Sequence, residues 1–500
     1  MGIVKKQSIQ SSIVIYIGFI IGALNTLVLF PRYFTKEEYG LTRLMIDSCL
    51  TLSTLCTLGI IPVINKFFPF YQDYLKPKKN DLPFITLLFF FSGYGLFIIA
   101  SIVFKDFIIR KFGGNSHLFI EHYDLLYPFT FFMMLFSVLE SFSWGLRKTV
   151  VSNFLKETGM RVITTLFILC FVLGWVGFNG FIRLYGFLFA IPGIILLFYL
   201  GRTRELFIYP AISKVTKRLH KRMLSFSGYV FSANIFSVLA RTVDIIFIAG
   251  LSGLGNAGIY AIGLYIAMLL DVPQRSMAAI TTPLLASAWK SRDTNKIASL
   301  YKKSSITLLV AGAFILSLAW INIDSLIHFL PAGFEEVKYI VLVLGIAKLI
   351  DLGTGINNQV IQTSNFWRFD FVCNILLVCL IMPLNYFLIK RHGMIGSAYA
   401  NLISMSAFNL IRFIFIWSKF RLQPFSIKTL AVLGVTGLLV FIIYRVPVLD
   451  NLYANAALRS ILFIPLFAMC ILGLRVSQDI NDSYRQLTGR MRLLLHRRKR

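Results

Sequence analysis

Apolar residues in this chain come in unbroken blocks, not at alternate positions. Each block runs for about 20 residues, the length a helix needs to cross ~30 Å of hydrocarbon. Strands of a membrane barrel would be shorter and would alternate in polarity; these blocks do neither. Fourteen are predicted as spans, at roughly 10–30, 41–62, 83–104, 125–146, 160–178, 184–200, 224–250, 257–283, 304–323, 338–360, 371–389, 395–417, 429–445 and 458–474. The connections are too short for a folded soluble domain, so an enzyme with a soluble catalytic domain is excluded. The longest, 201–223, is basic and predicts an amphipathic helix on the inner surface. The expected fold class is all-α: a polytopic membrane protein of about 14 transmembrane helices. Composition agrees, with 57% hydrophobic and 14% charged residues, too few polar groups to clothe a water-soluble surface.

A weak internal repeat organises the spans. "FTKEEYGLTRL" follows span 1 and "LGNAGIYAIGL" follows span 7, with Gly40 and Gly258 opening the next spans. "FIEHYDLLY" with Glu121 opens span 4, and "FEEVKYIVL" with Glu336 opens span 10. "GFNGFIRLYG" with Gly180 precedes span 6, and "HGMIGSAYA" with Gly396 precedes span 12. The offsets are 218, 215 and 216 residues. Six spans per copy is an even number, so both copies enter the membrane in the same direction. Two pseudo-symmetric six-helix lobes are expected, with substrate between them, plus a C-terminal helix pair. The expected divisions are an N-lobe at 1–200, a basic cytoplasmic linker at 201–223, a C-lobe at 224–418, spans 13 and 14 within 419–475, and a basic cytoplasmic tail at 476–500.

The net charge of +28 would suit a nucleic-acid binder, but its placement does not. With the N-terminus inside, and residues at the span ends counted with the adjoining segment, inside segments hold 34 of the 50 Lys and Arg, outside segments 11, and spans five. That is the positive-inside distribution with both termini cytoplasmic, a topogenic and lipid-facing feature. Clusters include Lys76, Lys78 and Lys79; Arg202, Arg204, Lys214, Lys217, Arg218, Lys221 and Arg222; and the terminal "LHRRKR". Lys5 and Lys6 precede a long apolar run without a small-residue cleavage motif, which reads as an uncleaved first span. The six cysteines all lie in apolar runs without metal-ligand spacing.

Five basic residues lie inside spans: Arg43, Arg241, Arg275, Lys348 and Arg412. Four have an acid one helical turn away: Asp47, Asp244, Asp271 and Asp351 respectively. Arg412 is near the inner end of span 12, where it would snorkel to the interface. Glu140 lies in span 4 without such a partner. A charge at the bilayer centre costs ~2.5–3.5 kcal/mol, so these groups are expected to face the protein interior or a wet cavity. Each pair has two readings: a functional site, or a self-neutralised pair that fixes helix packing. Pro62 would end span 2, and Pro273 would kink span 8 beside Asp271 and Arg275. The polar faces "TGINNQVIQT" in span 10 and "YANLISMSAFN" in span 12 would either line a hydrophilic lumen or bond between helices.

"RTVDIIFIAGLSGLGNAGIYAIGL", "RYFTKEEYGLTRL" and "GMIGSAYANLIS" resemble segments of the polysaccharide transporter branch of the multidrug/oligosaccharidyl-lipid/polysaccharide (MOP) exporter superfamily. The resemblance covers essentially the whole chain. It implies a bacterial inner-membrane flippase, without a cofactor, that moves an oligosaccharide linked by pyrophosphate to undecaprenol between leaflets for O-antigen, capsule or exopolysaccharide assembly. Its partners would be the lipid-linked oligosaccharide, membrane lipid, and polysaccharide polymerase and chain-length machinery; nucleic acid is not among them. The family's V-shaped cationic cavity implies pyrophosphate contacts from Arg43, Arg241, Arg275 and Lys348, with Asp47, Glu140, Asp244, Asp271 and Asp351 as coupling or charge partners. Alternating access follows, driven by an ion or substrate gradient, since the sequence has no nucleotide loop. Rival readings are an ion-coupled multidrug exporter, whose relatives carry an acid in span 1 where this chain offers only Asn25, and a peptidoglycan-precursor flippase.

Overall fold

A computed structural model describes residues 17–146, 148–203, 206–446 and 451–474. Lys5, Lys6, Arg204 and the 476–500 tail lie outside the described residues. The regular structure of the described residues is helical, without strands, and helices stand at all fourteen expected positions. We number them α1 (Ile17–Tyr33), α2 (Lys36–Cys56, then Ile60–Tyr74), α3 (Leu82–Val103), α4 (Tyr123–Gly145) and α5 (Thr149–Phe154, Leu155–Gly159 and Met160–Val172). Next come α6 (Phe178–Arg202), α7 (Lys214–Ser252), α8 (Leu254–Lys290), α9 (Thr294–Ile321) and α10 (Val337–Gly353, then Asn357–Thr363). The last are α11 (Trp367–His392), α12 (Met394–Phe420), α13 (Ile427–Tyr444) and α14 (Leu452–Gly473). Ten are single helices long and apolar enough to cross a bilayer, and the bent α2 and α10 raise the number to 12. The other two are α1, whose described part is short, and α5, which carries Lys156, Glu157 and Arg161. Large aliphatic side chains stand outward, as with Ile99 and Ile102 on α3, 61% and 64% exposed. Such faces are stable against acyl chains, not water. This is a multi-pass membrane protein.

Two compact units emerge, one of residues up to 261 with 389–394, the other of 262–388 with the residues from 395 on. The expected linker at 201–223 does not form a separate surface helix. Its second half, from Lys214, is the start of α7, which runs unbroken for 39 residues.

In the first unit α2 begins with a capping box. Thr35 Oγ1 accepts from the Glu38 amide, and Glu38 Oε2 accepts from the Thr35 amide at 2.8 Å. This accounts for the "TKEE" of the repeated motif. A Cβ on Gly40 would lie 1.8 Å from the Leu254 carbonyl oxygen, and one on Gly258 2.6 Å from that of Lys36. The two repeat-related glycines thus meet where the starts of α2 and α8 touch backbone to backbone, the close approach that small residues permit. Along its length α2 is tied to α7: Thr51 and Thr242 hydroxyls are 2.8 Å apart, and Ser227 donates to the Gly59 carbonyl at 2.9 Å.

Span 2 does not end at Pro62. The chain turns through left-handed Leu58 and Gly59 (φ 47° and 78°), bends by 53° and resumes at Ile60. Pro62 sits in the first turn of the resumed helix, where no intrahelical N–H is required. Near Pro273 of α8 a single 3-10 turn, Met268–Leu270, precedes the resumed helix at Asp271.

In the second unit α13 and α14 cover α9, with Phe463 and Phe467 packed among Val310, Ala313 and Val432. Asn322 donates to Ser460 Oγ at 2.9 Å across the same seam.

Candidate functional site

The intramembrane charges fall only in part into the pairs that sequence spacing suggests. In the first unit Arg43, Asp47 and Asp244 gather at the α2–α7 seam, with Asp47 in electrostatic reach of both Arg43 and Asp244. Asp47 and Asp244 are 8% and 2% exposed. Asp244 Oδ2 accepts from the Tyr260 hydroxyl of α8 at 2.9 Å. A buried carboxylate needs such donors, and no local spacing marks Tyr260, 16 positions away on the next helix, as one.

Arg241 lies three residues before Asp244 on α7. It is exposed, and its guanidinium donates back to Ser237, to Oγ at 2.9 Å and to the carbonyl at 3.3 Å. It lines a cavity of about 170 Å³ with Ser53, Thr54, Thr57, Ser137 and Asn234. Its rim offers hydroxyls and an amide beside one cation.

Glu140 has a partner after all. Lys156 of α5 holds both carboxylate oxygens, at 3.1 and 2.9 Å. Lys156 lies just ahead of the apolar window that marks span 5, so hydropathy alone treats it as loop. Asn25 is spent on structure: its amide donates to the Arg161 carbonyl at 2.9 Å and its oxygen accepts from Thr165 at 2.8 Å, tying α1 to α5.

In the second unit two expected intrahelical pairs are replaced by contacts between α8 and α10. Lys348 Nζ binds Asp271 Oδ1 at 2.8 Å, and Gln274 donates to Asp351 Oδ2 at 2.8 Å. Asp271 is thereby engaged by an ammonium instead of by Arg275. Arg275 is exposed and makes no ion pair or hydrogen bond with the described residues.

Arg412 does not snorkel. It is 4% exposed, bound to Asp370, donates to Asn358 at 3.3 Å and lies 3.9 Å over the Phe408 ring. Gln362 completes Asp370 at 2.9 Å. Asp370 precedes the span 11 window by one residue, and the 42 residues between it and Arg412 put the pairing beyond any local rule. The polar faces of α10 and α12 meet each other: Thr354 and Asn357 both donate to Asn409 Oδ1, at 2.9 and 2.8 Å, and all three are buried. These residues bond between helices and do not line a lumen.

The profile of a family described as polysaccharide biosynthesis protein matches residues 4–289. Among solved structures, the lipid II flippase MurJ in an inward closed conformation aligns with TM-score 0.72 and 16% identity, covering 92% of this chain and 98% of its own. An inward-facing multidrug resistance MATE family transporter of the MOP superfamily aligns with TM-score 0.62 and 14% identity, covering 84% and 95%. A MOP superfamily transporter from Pyrococcus furiosus aligns with TM-score 0.57 and 15% identity, covering 83% and 96%. No curated protein matches the sequence significantly. At these identities the structural likenesses establish the fold alone.

Proposed function

This chain belongs to the polysaccharide biosynthesis protein family, and we propose that it is a flippase carrying undecaprenyl-pyrophosphate-linked oligosaccharide from the cytoplasmic to the periplasmic leaflet of the bacterial inner membrane. Both termini are cytoplasmic in this reading, from the distribution of Lys and Arg. The translocated glycan supplies O-antigen, capsule or exopolysaccharide assembly, where polymerase and chain-length machinery take it up. Alternating access moves the polar head through protein while the polyprenyl tail stays in hydrocarbon. No covalent step is needed.

The observation that carries the reading is the state of Arg275. A guanidinium neutralised by its neighbouring acid attracts an anion poorly. Here that acid is held by Lys348, so the Arg275 guanidinium is available for the bidentate contact that phosphate oxygens favour. Arg241, on the wall of a cavity that carries several hydroxyls, is a separate cargo contact within the first unit. Arg43 sits deeper among acids and sets the local charge balance with Asp47 and Asp244. The use of Asn25 to hold α1 against α5 supports a flippase over an ion-coupled exporter that depends on a span 1 carboxylate.

The test is reconstituted flipping in vesicles of a fluorescent lipid-linked oligosaccharide, read by chemical quenching of the outer leaflet. Loss of one charge-assisted contact of ~1.5–3 kcal/mol should slow transport by about 10- to 150-fold in Arg275→Ala and in Arg241→Ala. A monophosphate-linked cargo should be carried poorly. Normal rates in both variants, or equal transport of both cargoes, would remove the assigned roles. Selective transport of a peptidoglycan precursor would reassign the glycan but keep the pyrophosphate contacts.

A further inference from the structure

A second concave site lies in the first unit, away from the charges just described. The end of α2, the turn Pro77–Lys79 and the first turns of α7 enclose a groove of about 690 Å³. That is within the ~300–1,000 Å³ typical of ligand sites. Lys79, Lys214, Arg218 and Arg222 line it, and among the described residues no acid does. The other walls are apolar and aromatic, including Tyr74 and Ile212, which are 71% and 63% exposed. The groove is on the side that the positive-inside distribution assigns to the cytoplasm.

Two features of the groove are unfavourable without an anion in it. Lys214, Arg218 and Arg222 are spaced by four, so they share one face of α7, and like charges one turn apart repel. They also crowd the amino-terminal end of a 39-residue helix with no acid in its first turn, where the helix dipole disfavours cations. The backbone beneath is nevertheless firmly set. Buried Asp81 accepts from the Ser213 amide at 2.8 Å and from Thr216 Oγ1 at 2.7 Å, and the Tyr71 and Thr216 hydroxyls are 2.7 Å apart. The cations are therefore held together on a fixed support instead of spreading apart.

We infer that this groove binds an anionic phospholipid of the inner leaflet, with the phosphodiester headgroup on Lys79, Arg218 and Arg222 and an acyl chain along Tyr74 and Ile212. The pairing of four cations with exposed apolar walls argues for a lipid, since a free phosphate or sugar phosphate would have no use for Tyr74 and Ile212. The site is distinct from the cavity at Arg241, which is 23 residues further along α7, about 35 Å at ~1.5 Å per residue.

The experiment titrates purified full-length protein in a neutral detergent with short-chain phosphatidylglycerol, short-chain phosphatidylcholine and inorganic phosphate, and reads binding by native mass spectrometry and thermophoresis. Phosphatidylglycerol should bind saturably and lose affinity with salt. Each cation near an anionic lipid contributes about fivefold in affinity, so Arg218→Gln with Arg222→Gln should weaken binding about 30-fold. Tyr74→Ala with Ile212→Ala should weaken phosphatidylglycerol and leave phosphate unchanged. Lys296→Gln with Lys302→Gln removes the same charge from exposed positions on α9 and should change nothing. Melting curves of all variants identify any that misfold, and the charge-only variants keep the packing of the groove. Equal affinity for phosphatidylcholine, phosphate binding as tight as the lipid, or an unchanged Arg218→Gln/Arg222→Gln protein would overturn the assignment. So would exclusive capture of a pyrophosphate-linked cargo at these residues.

Discussion

Lys348→Met separates a direct from an indirect role for the α8–α10 ion pair. In the structure Lys348 and Asp271 are 2.8 Å apart, with side chains 24% and 17% exposed. Removing the ammonium leaves the Asp271 carboxylate one turn from Arg275, on the same helix face. An exposed or partly exposed pair of this kind is worth ~0.3–1 kcal/mol, so the freed carboxylate should weaken the hold of Arg275 on a pyrophosphate about two- to fivefold. The loss should appear in the flipping assay as a rate reduction at subsaturating cargo. Adding Asp271→Asn to the same chain removes the competitor and should return transport to near the original rate. If Lys348 instead touched the cargo, the double variant would stay at least tenfold slow, because a charge-assisted hydrogen bond of ~1.5–3 kcal/mol would be missing. A double variant as impaired as Lys348→Met, or slower, refutes the indirect role; so does a single variant with no defect.

Asp370→Ala should destabilise the protein by about 3–5 kcal/mol, since it leaves Arg412 charged and buried without its carboxylate. Thermal melting in detergent measures this, and Arg412→Met in the same chain should restore much of the loss. Tyr260→Phe removes one donor to buried Asp244 and should cost about 1.5–3 kcal/mol by the same measurement; an added Asp244→Asn should reduce the penalty. Gly40→Ala drives a Cβ to within 1.8 Å of a carbonyl oxygen and should abolish the monodisperse gel-filtration peak. Gly95→Ala on α3 meets nothing within 4 Å and should be neutral or stabilise by ~0.5–1 kcal/mol.

The helices were legible because a bilayer imposes one length on every apolar block, and the blocks at α3, α9 and α13 carry no other reading. The glycines at 40 and 258 were legible as landmarks, though not as partners. For the charges of α8 and α10 a local rule does not suffice. Spacing of three or four finds neighbours on one helix, and it paired Asp271 with Arg275 and Lys348 with Asp351. The actual bonds cross from α8 to α10, and nothing in either segment alone specifies how two helices are rotated against each other. Lys156 and Asp370 were missed for a different reason. Both sit at the edges of apolar windows, where a charge looks like loop, yet the helices continue past those edges and carry them inward. Depth alone predicts Arg412 at the interface; the Asp370 carboxylate, distant in sequence, is what makes its burial tolerable.

The uninterrupted course of α7 has a mechanical consequence. At ~1.5 Å per residue its 39 residues reach about 58 Å, nearly twice the ~30 Å of hydrocarbon. One hydrogen-bonded rod therefore carries both Arg218 of the basic groove and Arg241 of the smaller cavity. A tilt or twist imposed on its outer handle must be felt at the buried end, so the leaflet lipid and the travelling sugar would pull on opposite ends of one lever.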